Sequence, residues 1–222
     1  MKKKSAKKIA LFDLDGTIID TIGDIAAAIN RALASYGFPP RTVSEVQSFL
    51  GNGSLMLMRR ALPEGGSDEF CREVRELFRK EYEKGMYDIT APYEGISELV
   101  SELNERGVVS VVITNKDDRA AVPMVKHYFG DLFTLIRGVR TDFDRKPNPE
   151  VTLSVIKEFG FEPDDAVFIG DGMPDLNLSK NAGIDFIPIG YGYTKVESLF
   201  ENCGIKPVQT VSELREKLLE IT

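Results

Sequence analysis

The chain has 222 residues, 42% apolar and 28% charged, with a net charge of −7. That suits one large domain, or one with a second inserted in it, and supplies enough apolar material for a core. The acidic balance argues against general nucleic-acid binding, and no apolar stretch approaches the ~20 residues that cross a bilayer, so neither nucleic acid nor a membrane is expected as a partner.

Residues 1–8 carry five lysines with no apolar signal core behind them, and read as a solvated leader. The two cysteines, Cys71 and Cys203, stand far apart in no CxxC pattern, which fits free thiols in a reducing, cytoplasmic setting. Residues 8–12 (KIALF) predict a buried strand that ends in Asp13-Leu14-Asp15-Gly16-Thr17. From residue 20 to about 84 apolar residues recur at helical spacing. Ile22, Ile25, Ala26, Ile29 and Leu33 mark one helix, stopped by Gly37-Phe38-Pro39-Pro40. Val46, Phe49 and Leu50 mark a second, capped by Thr42 or Ser44 and broken at Gly51-Asn52-Gly53. A third covers 55–62. After a loop at 63–67, a charged helix over 68–84 lines up Phe70, Val74, Leu77 and Phe78. No strand is predicted in this stretch.

Beyond Pro92 the pattern alternates. Helices are predicted over 96–106 and 117–129, around a β-branched strand at 108–113 that ends in Thr114-Asn115. A weaker strand covers 133–139. Asn148 as N-cap and Pro149 at N1 start the next helix. Residues 166–169 form a strand ending in Gly170-Asp171-Gly172-Met173-Pro174-Asp175. A helix near 175–181, a strand at 185–189 and a helix at 212–219 complete the chain. Strands alternating with helices predict an α/β fold, a doubly wound parallel sheet. Its core would be residues 1–19 and 86–222, with a helical cap inserted at 20–85. The insertion leaves from the carboxyl end of the first strand, where open α/β sheets bind ligands.

The polar residues at the strand ends then converge: Asp13, Asp15, Asp171 and Asp175, with Lys146, Thr114 and Asn115. Carboxylates this close call for a cation. Oxygen-only donors favour Mg²⁺, and the lysine, hydroxyl and amide suit a phosphate. Metal-assisted phosphoryl chemistry follows.

Asp13-Leu14-Asp15-Gly16-Thr17 resembles the first motif of the haloacid dehalogenase superfamily, and Thr114, Lys146 and Asp171/Asp175 resemble its second, third and fourth, in order. Within it the chain is most similar to the phosphoglycolate phosphatase group, on Phe49-Leu50-Gly51-Asn52-Gly53 and Lys146-Pro147-Asn148-Pro149-Glu150. The resemblance implies a Rossmann-like core with a helical cap. Asp13 would be the nucleophile and Asp15 the acid/base. Mg²⁺ would be held by Asp13, Asp15 through its backbone carbonyl, Asp171 and Asp175. Thr114, the Asn115 backbone and Lys146 would hold the phosphoryl group, and Thr17 would brace the loop. The substrate would be a small phosphorylated metabolite, with 2-phosphoglycolate the first choice. Inorganic pyrophosphatase, sugar-phosphate phosphatase and phosphomutase stand as alternatives, and a phospho-acceptor signalling module as the non-enzymatic one; the expected state is a monomer or a homodimer.

His127, the only histidine, excludes a histidine-rich metal site. Met56 and Met58 read as packing residues. Asn52, between two glycines, and Arg59, which could grip a carboxylate, are the candidates for substrate contact from the cap.

Overall fold

The computed structural model describes residues 6–63, 67–193 and 206–222. Its centre is a five-stranded parallel sheet in the order β5-β4-β1-β6-β7. These strands are β1 (Ile9–Phe12), β4 (Val109–Asp117), β5 (Leu135–Val139), β6 (Ala166–Gly170) and β7 (Asp185–Pro188). β1 lies in the middle, paired in register with β4 (Phe12 opposite Val112) and β6 (Phe12 opposite Ile169). A strand buried on both faces has no reason to alternate, and β1 is apolar throughout.

Successive β1 side chains enter different layers. Ala10 and Phe12 pack with α5 (Ile96–Glu105), α6 (Asp118–Phe129) and α9 (Val211–Ile221). Ile9 and Leu11 pack with α7 (Glu150–Glu158) and α8 (Met173–Ala182). The chain is therefore an α/β doubly wound fold.

Between β1 and α5 the chain leaves the sheet and returns. It passes through β2 (Ile19–Asp20), α1 (Ile22–Ala34), α2 (Val43–Phe49), α3 (Gly53–Ala61), α4 (Asp68–Gly85) and β3 (Ala91–Pro92). α1 and α4 bury Ile25, Ile29 and Leu33 with Val74, Phe78 and Tyr82. Thr42, not Ser44, caps α2, in a reciprocal capping box with Glu45. β2 and β3 pair antiparallel and tie the outgoing chain to the returning one. At two residues each they are too short for any periodicity to betray them. Buried Asp24 of α1 strengthens the same junction, accepting hydrogen bonds from the backbone of Ile89 and Thr90 and from the Thr90 hydroxyl at 2.7–3.1 Å.

Three expectations change. The solvated leader does not extend to residue 7, although Lys8 stays exposed. Lys7 is buried, its Nζ 2.8 Å from Asp185 and 2.7 Å from the Asp164 carbonyl, and Lys8 pairs with Asp165 at 2.9 Å. Residues 1–5 lie outside the described residues. The α7 N-cap is Pro149 rather than Asn148, although the Asn148 side chain still accepts the Glu150 N–H. β4 runs on to Asp117, with its register broken after Ile113, so Thr114 and Asn115 lie inside the strand. Cys71 is a buried free thiol, and Cys203 lies outside the described residues. Among the described residues, no helix is long and apolar enough to cross a membrane.

Candidate active site

The Asp13 N–H continues the β1–β6 ladder, donating to the Ile169 carbonyl at 2.9 Å. That bond fixes the first acid where the strand ends. Lys146 Nζ lies 2.7 Å from Asp13 Oδ1, 2.7 Å from Asp175 Oδ1 and 3.2 Å from the Ile113 carbonyl. Asn115 holds this lysine in place: its Oδ1 accepts the Lys146 N–H at 2.8 Å and its Nδ2 donates to the Lys146 carbonyl at 3.2 Å. The side chain of Asn115 thus positions Lys146, a role beyond the backbone contact expected of it. Asp175 Oδ2 accepts the Gly172 N–H at 3.0 Å, so this acid closes the first turn of α8 while its other oxygen faces the lysine. Asp171 Oδ2 accepts the Tyr193 N–H at 2.7 Å.

Asp13, Asp171 and Asp175 each offer a carboxylate oxygen within 4.8 Å of the others. An all-carboxylate set of this size fits a hard divalent cation. Burial, the largest influence, pushes the Asp13 carboxyl up to about 6; Lys146 opposes this and Asp175 reinforces it. Burial alone would lower the Lys146 pKa, but Asp13 and Asp175 outweigh it and the net shift is upward. Gly16 turns the chain at φ +81°, and a Cβ there would stand 2.7 Å from Asp171 Oδ2. A side chain at 16 would meet both strain and collision.

Asp15 faces elsewhere. Its Oδ1 accepts from the Thr21 hydroxyl at 2.6 Å and pairs with Lys116 Nζ at 2.9 Å. Its carboxylate stands outside the three-acid cluster, on the side of the helices. Burial would lower the Lys116 pKa, yet Asp15 and Tyr82 turn the net shift upward. Thr114 is buried and lines the cavity at the break in β4 register, where an irregular strand re-aims its side chains. Thr17 braces the loop through its carbonyl, which accepts from the Tyr191 hydroxyl at 3.1 Å; its own hydroxyl is buried without a partner.

Helices α2–α4 form the opposite wall of a cavity of about 1020 Å³. Asn115 Nδ2 donates across it to the Gly51 carbonyl at 3.0 Å. Gln47 of α2 reaches the Tyr193 carbonyl, and Arg79 of α4 pairs with Asp117. Asn52 lines the cavity and accepts from Arg60 Nη2 at 2.8 Å. Arg59 is not where it was expected. It pairs with Asp68 at the start of α4, outside the cavity lining, whereas Arg60 lines the cavity and donates to the Phe49 carbonyl at 2.7 Å. One residue along a helix rotates a side chain by ~100°, which decides between the two.

Sequence reasoning missed Thr21, Lys116 and Tyr193. The Tyr193 hydroxyl donates to Asp20 at 2.9 Å and accepts the Ile22 N–H at 3.0 Å, at the start of α1. Tyr-Gly-Tyr follows the last strand of the sheet, so polar residues at strand ends held a signal there as well. Lys116 follows Thr114-Asn115 directly.

The sequence profile described as haloacid dehalogenase-like hydrolase matches residues 10–189. The chain is 34% identical over 217 residues to phosphoglycolate phosphatase 1 of Pseudomonas aeruginosa, covering 95% of this chain and 78% of that protein. A phosphoglycolate phosphatase of Vibrio vulnificus is 30% identical over 199 residues, covering 86% of this chain and 87% of that protein. A crystal structure from Lactobacillus delbrueckii subsp. bulgaricus, provisionally named a phosphoglycolate phosphatase, matches with TM-score 0.88 and 28% identity, covering 96% of this chain and 98% of that one. Sheet order, strand-end acids and matched sequence agree: the chain belongs to the haloacid dehalogenase-like hydrolases, among their phosphatases.

Proposed function

We propose that the protein is a Mg²⁺-dependent phosphomonoester hydrolase that works through an aspartyl-phosphate at Asp13, with 2-phosphoglycolate as its substrate. The observation that carries this reading is Lys146, 2.7 Å from both Asp13 and Asp175 beside Asp171. An ammonium and an acid cluster at a strand end form a cradle for a transferring phosphoryl group. The Pseudomonas and Vibrio relatives support the choice of substrate.

Asp13, Asp171 and Asp175 would hold the metal with the Asp15 carbonyl. When bound, Mg²⁺ supplies the positive charge that lets one anion approach another. Asp13 attacks phosphorus as the ester P–O bond breaks, and Asp15 gives its proton to the departing oxygen. Water then attacks the aspartyl-phosphate while Asp15 takes a proton from it. Lys146, Thr114 and Asn115 hold the phosphoryl oxygens. Residues 20–85 act as a cap that closes the cavity and excludes bulk water, with Asn52 on its inner surface and Arg59 outside.

The test is hydrolysis of a panel of phosphorylated metabolites with Mg²⁺ and with EDTA. The reading expects metal-dependent release of phosphate, with 2-phosphoglycolate highest in kcat/KM. Undiminished turnover in EDTA contradicts the metal role. A preference for a sugar phosphate or pyrophosphate contradicts the substrate.

A further inference from the structure

Lys116 lines the cavity beside Asp15. Its side chain is 7% exposed, its Nζ sits 2.9 Å from Asp15 Oδ1, and it lies 4.6 Å above the Tyr82 ring of α4. The buried Tyr82 hydroxyl, also on the cavity wall, has no hydrogen-bond partner. A buried hydroxyl left unpaired costs free energy until something arrives to pair with it. Besides Lys80 and Arg119, the other cations lining the cavity are committed elsewhere. Lys146 holds Asp13 and Asp175, Arg79 pairs with Glu76 and Asp117, and Arg60 is bound to the 49–52 loop.

We infer that Lys116 and Tyr82 form the subsite that selects phosphoesters bearing a carboxylate on the carbon next to the ester oxygen. This rests on the reading of Asp15 as the acid that protonates that oxygen. An ester oxygen protonated by Asp15 lies about 2.6–3.2 Å from its carboxyl. In an O–CH₂–COO⁻ unit the carboxylate oxygens lie about 2.7–3.6 Å further on. An ammonium 2.9 Å from Asp15 Oδ1 is therefore one contact away from that carboxylate, and the Tyr82 hydroxyl, reaching across from α4, can donate to it. A neutral leaving group of the same size offers Lys116 nothing. The low exposure makes the contact stronger than the same pair in water.

The experiment compares kcat/KM for 2-phosphoglycolate and ethyl phosphate, which differ only in the carboxylate, in Mg²⁺-loaded wild type, Lys116→Met, Lys116→Arg and Tyr82→Phe. Both rates fall in Lys116→Met, because Lys116 also steadies Asp15, so the ratio between substrates is the readout. The expected result is a strong wild-type preference for 2-phosphoglycolate that drops about 30-fold or more in Lys116→Met, chiefly through KM. Lys116→Arg keeps most of the preference, and Tyr82→Phe loses about 3- to 10-fold of it. A preference that survives both Lys116→Met and Tyr82→Phe overturns the subsite and leaves the substrate reading intact. A wild type without the preference overturns the substrate reading itself.

Discussion

At the sheet edge Lys146 is fixed from every side: two carboxylates and a carbonyl hold its ammonium, and Asn115 holds its backbone. On the helices facing it, Arg60 reaches into the same cavity from a side chain anchored only to a loop, through Asn52 and the Phe49 carbonyl. Of the groups assigned to chemistry, Asp13 and Thr114 are set by the strand ladder, and Lys146 and Asp175 are locked onto them by close ion pairs and hydrogen bonds. Of the groups assigned to selection, Lys116 lies on β4, whereas Asn52 and Tyr82 belong to helical segments that touch the sheet edge through a few side chains. A site divided this way can keep its reaction while changing its substrate, because helix residues can be exchanged without disturbing the ladder.

Changes at the sheet edge carry the largest expected effects. Lys146→Met should lower kcat by about 10²- to 10³-fold, since it removes the charge facing the phosphoryl oxygens and leaves two buried acids unpaired. A loss of less than tenfold would erase the distinction between the two walls. Next is the junction that ties them together. Asp24→Asn replaces a buried carboxylate that accepts from Ile89 and Thr90, and should cost about 2 to 4 kcal/mol in urea unfolding. A change within experimental error would show that the β2–β3 junction does not depend on it.

Asp13 itself supplies the third effect. Its folded pKa of about 6 lies above the ordinary carboxyl value of 3.8, so between those values the metal-free folded state binds the extra proton. Stability contributed by the protonated form is present below that window and lost as pH rises through about 6. Asp13→Asn carries no such charge, and at pH 7–8 without metal it should be more stable than wild type by about 1 to 3 kcal/mol. Thermal melts in EDTA at pH 5 and pH 8 check this: the gain should shrink at the lower pH. The smallest effects belong to the helices. Arg60→Ala should raise KM by up to about tenfold with little change in kcat, and Arg59→Ala, outside the cavity lining, should stay within about twofold on both. Equal effects of the two would remove the helical phase that separates them.

The sheet and its flanking helices were legible because each strand is a compact apolar run and each helix repeats its apolar residues at a fixed interval. The strand-end acids and Thr114 were legible because they follow such runs, and Lys146 because it stands just before the helix start at Asn148-Pro149. What escaped depends on contacts distant in sequence. Lys116 gains its meaning from Asp15, and Tyr193 gains its meaning from Asp20, Ile22 and Asp171. Lys7 looked solvated because its partners, Asp185 and the Asp164 carbonyl, lie far along the chain. Arg59 and Arg60 differ only in helical phase, which no composition records.

The central claim is that Asp13 carries the phosphoryl group. Acid-quenching the Mg²⁺-loaded enzyme during turnover of 2-phosphoglycolate and mapping its peptides by mass spectrometry tests it directly. The account predicts one added phosphoryl group, on Asp13, labile to hydroxylamine and absent from Asp13→Asn, which has no turnover. A phosphoryl group on another residue, or turnover by Asp13→Asn, would contradict it.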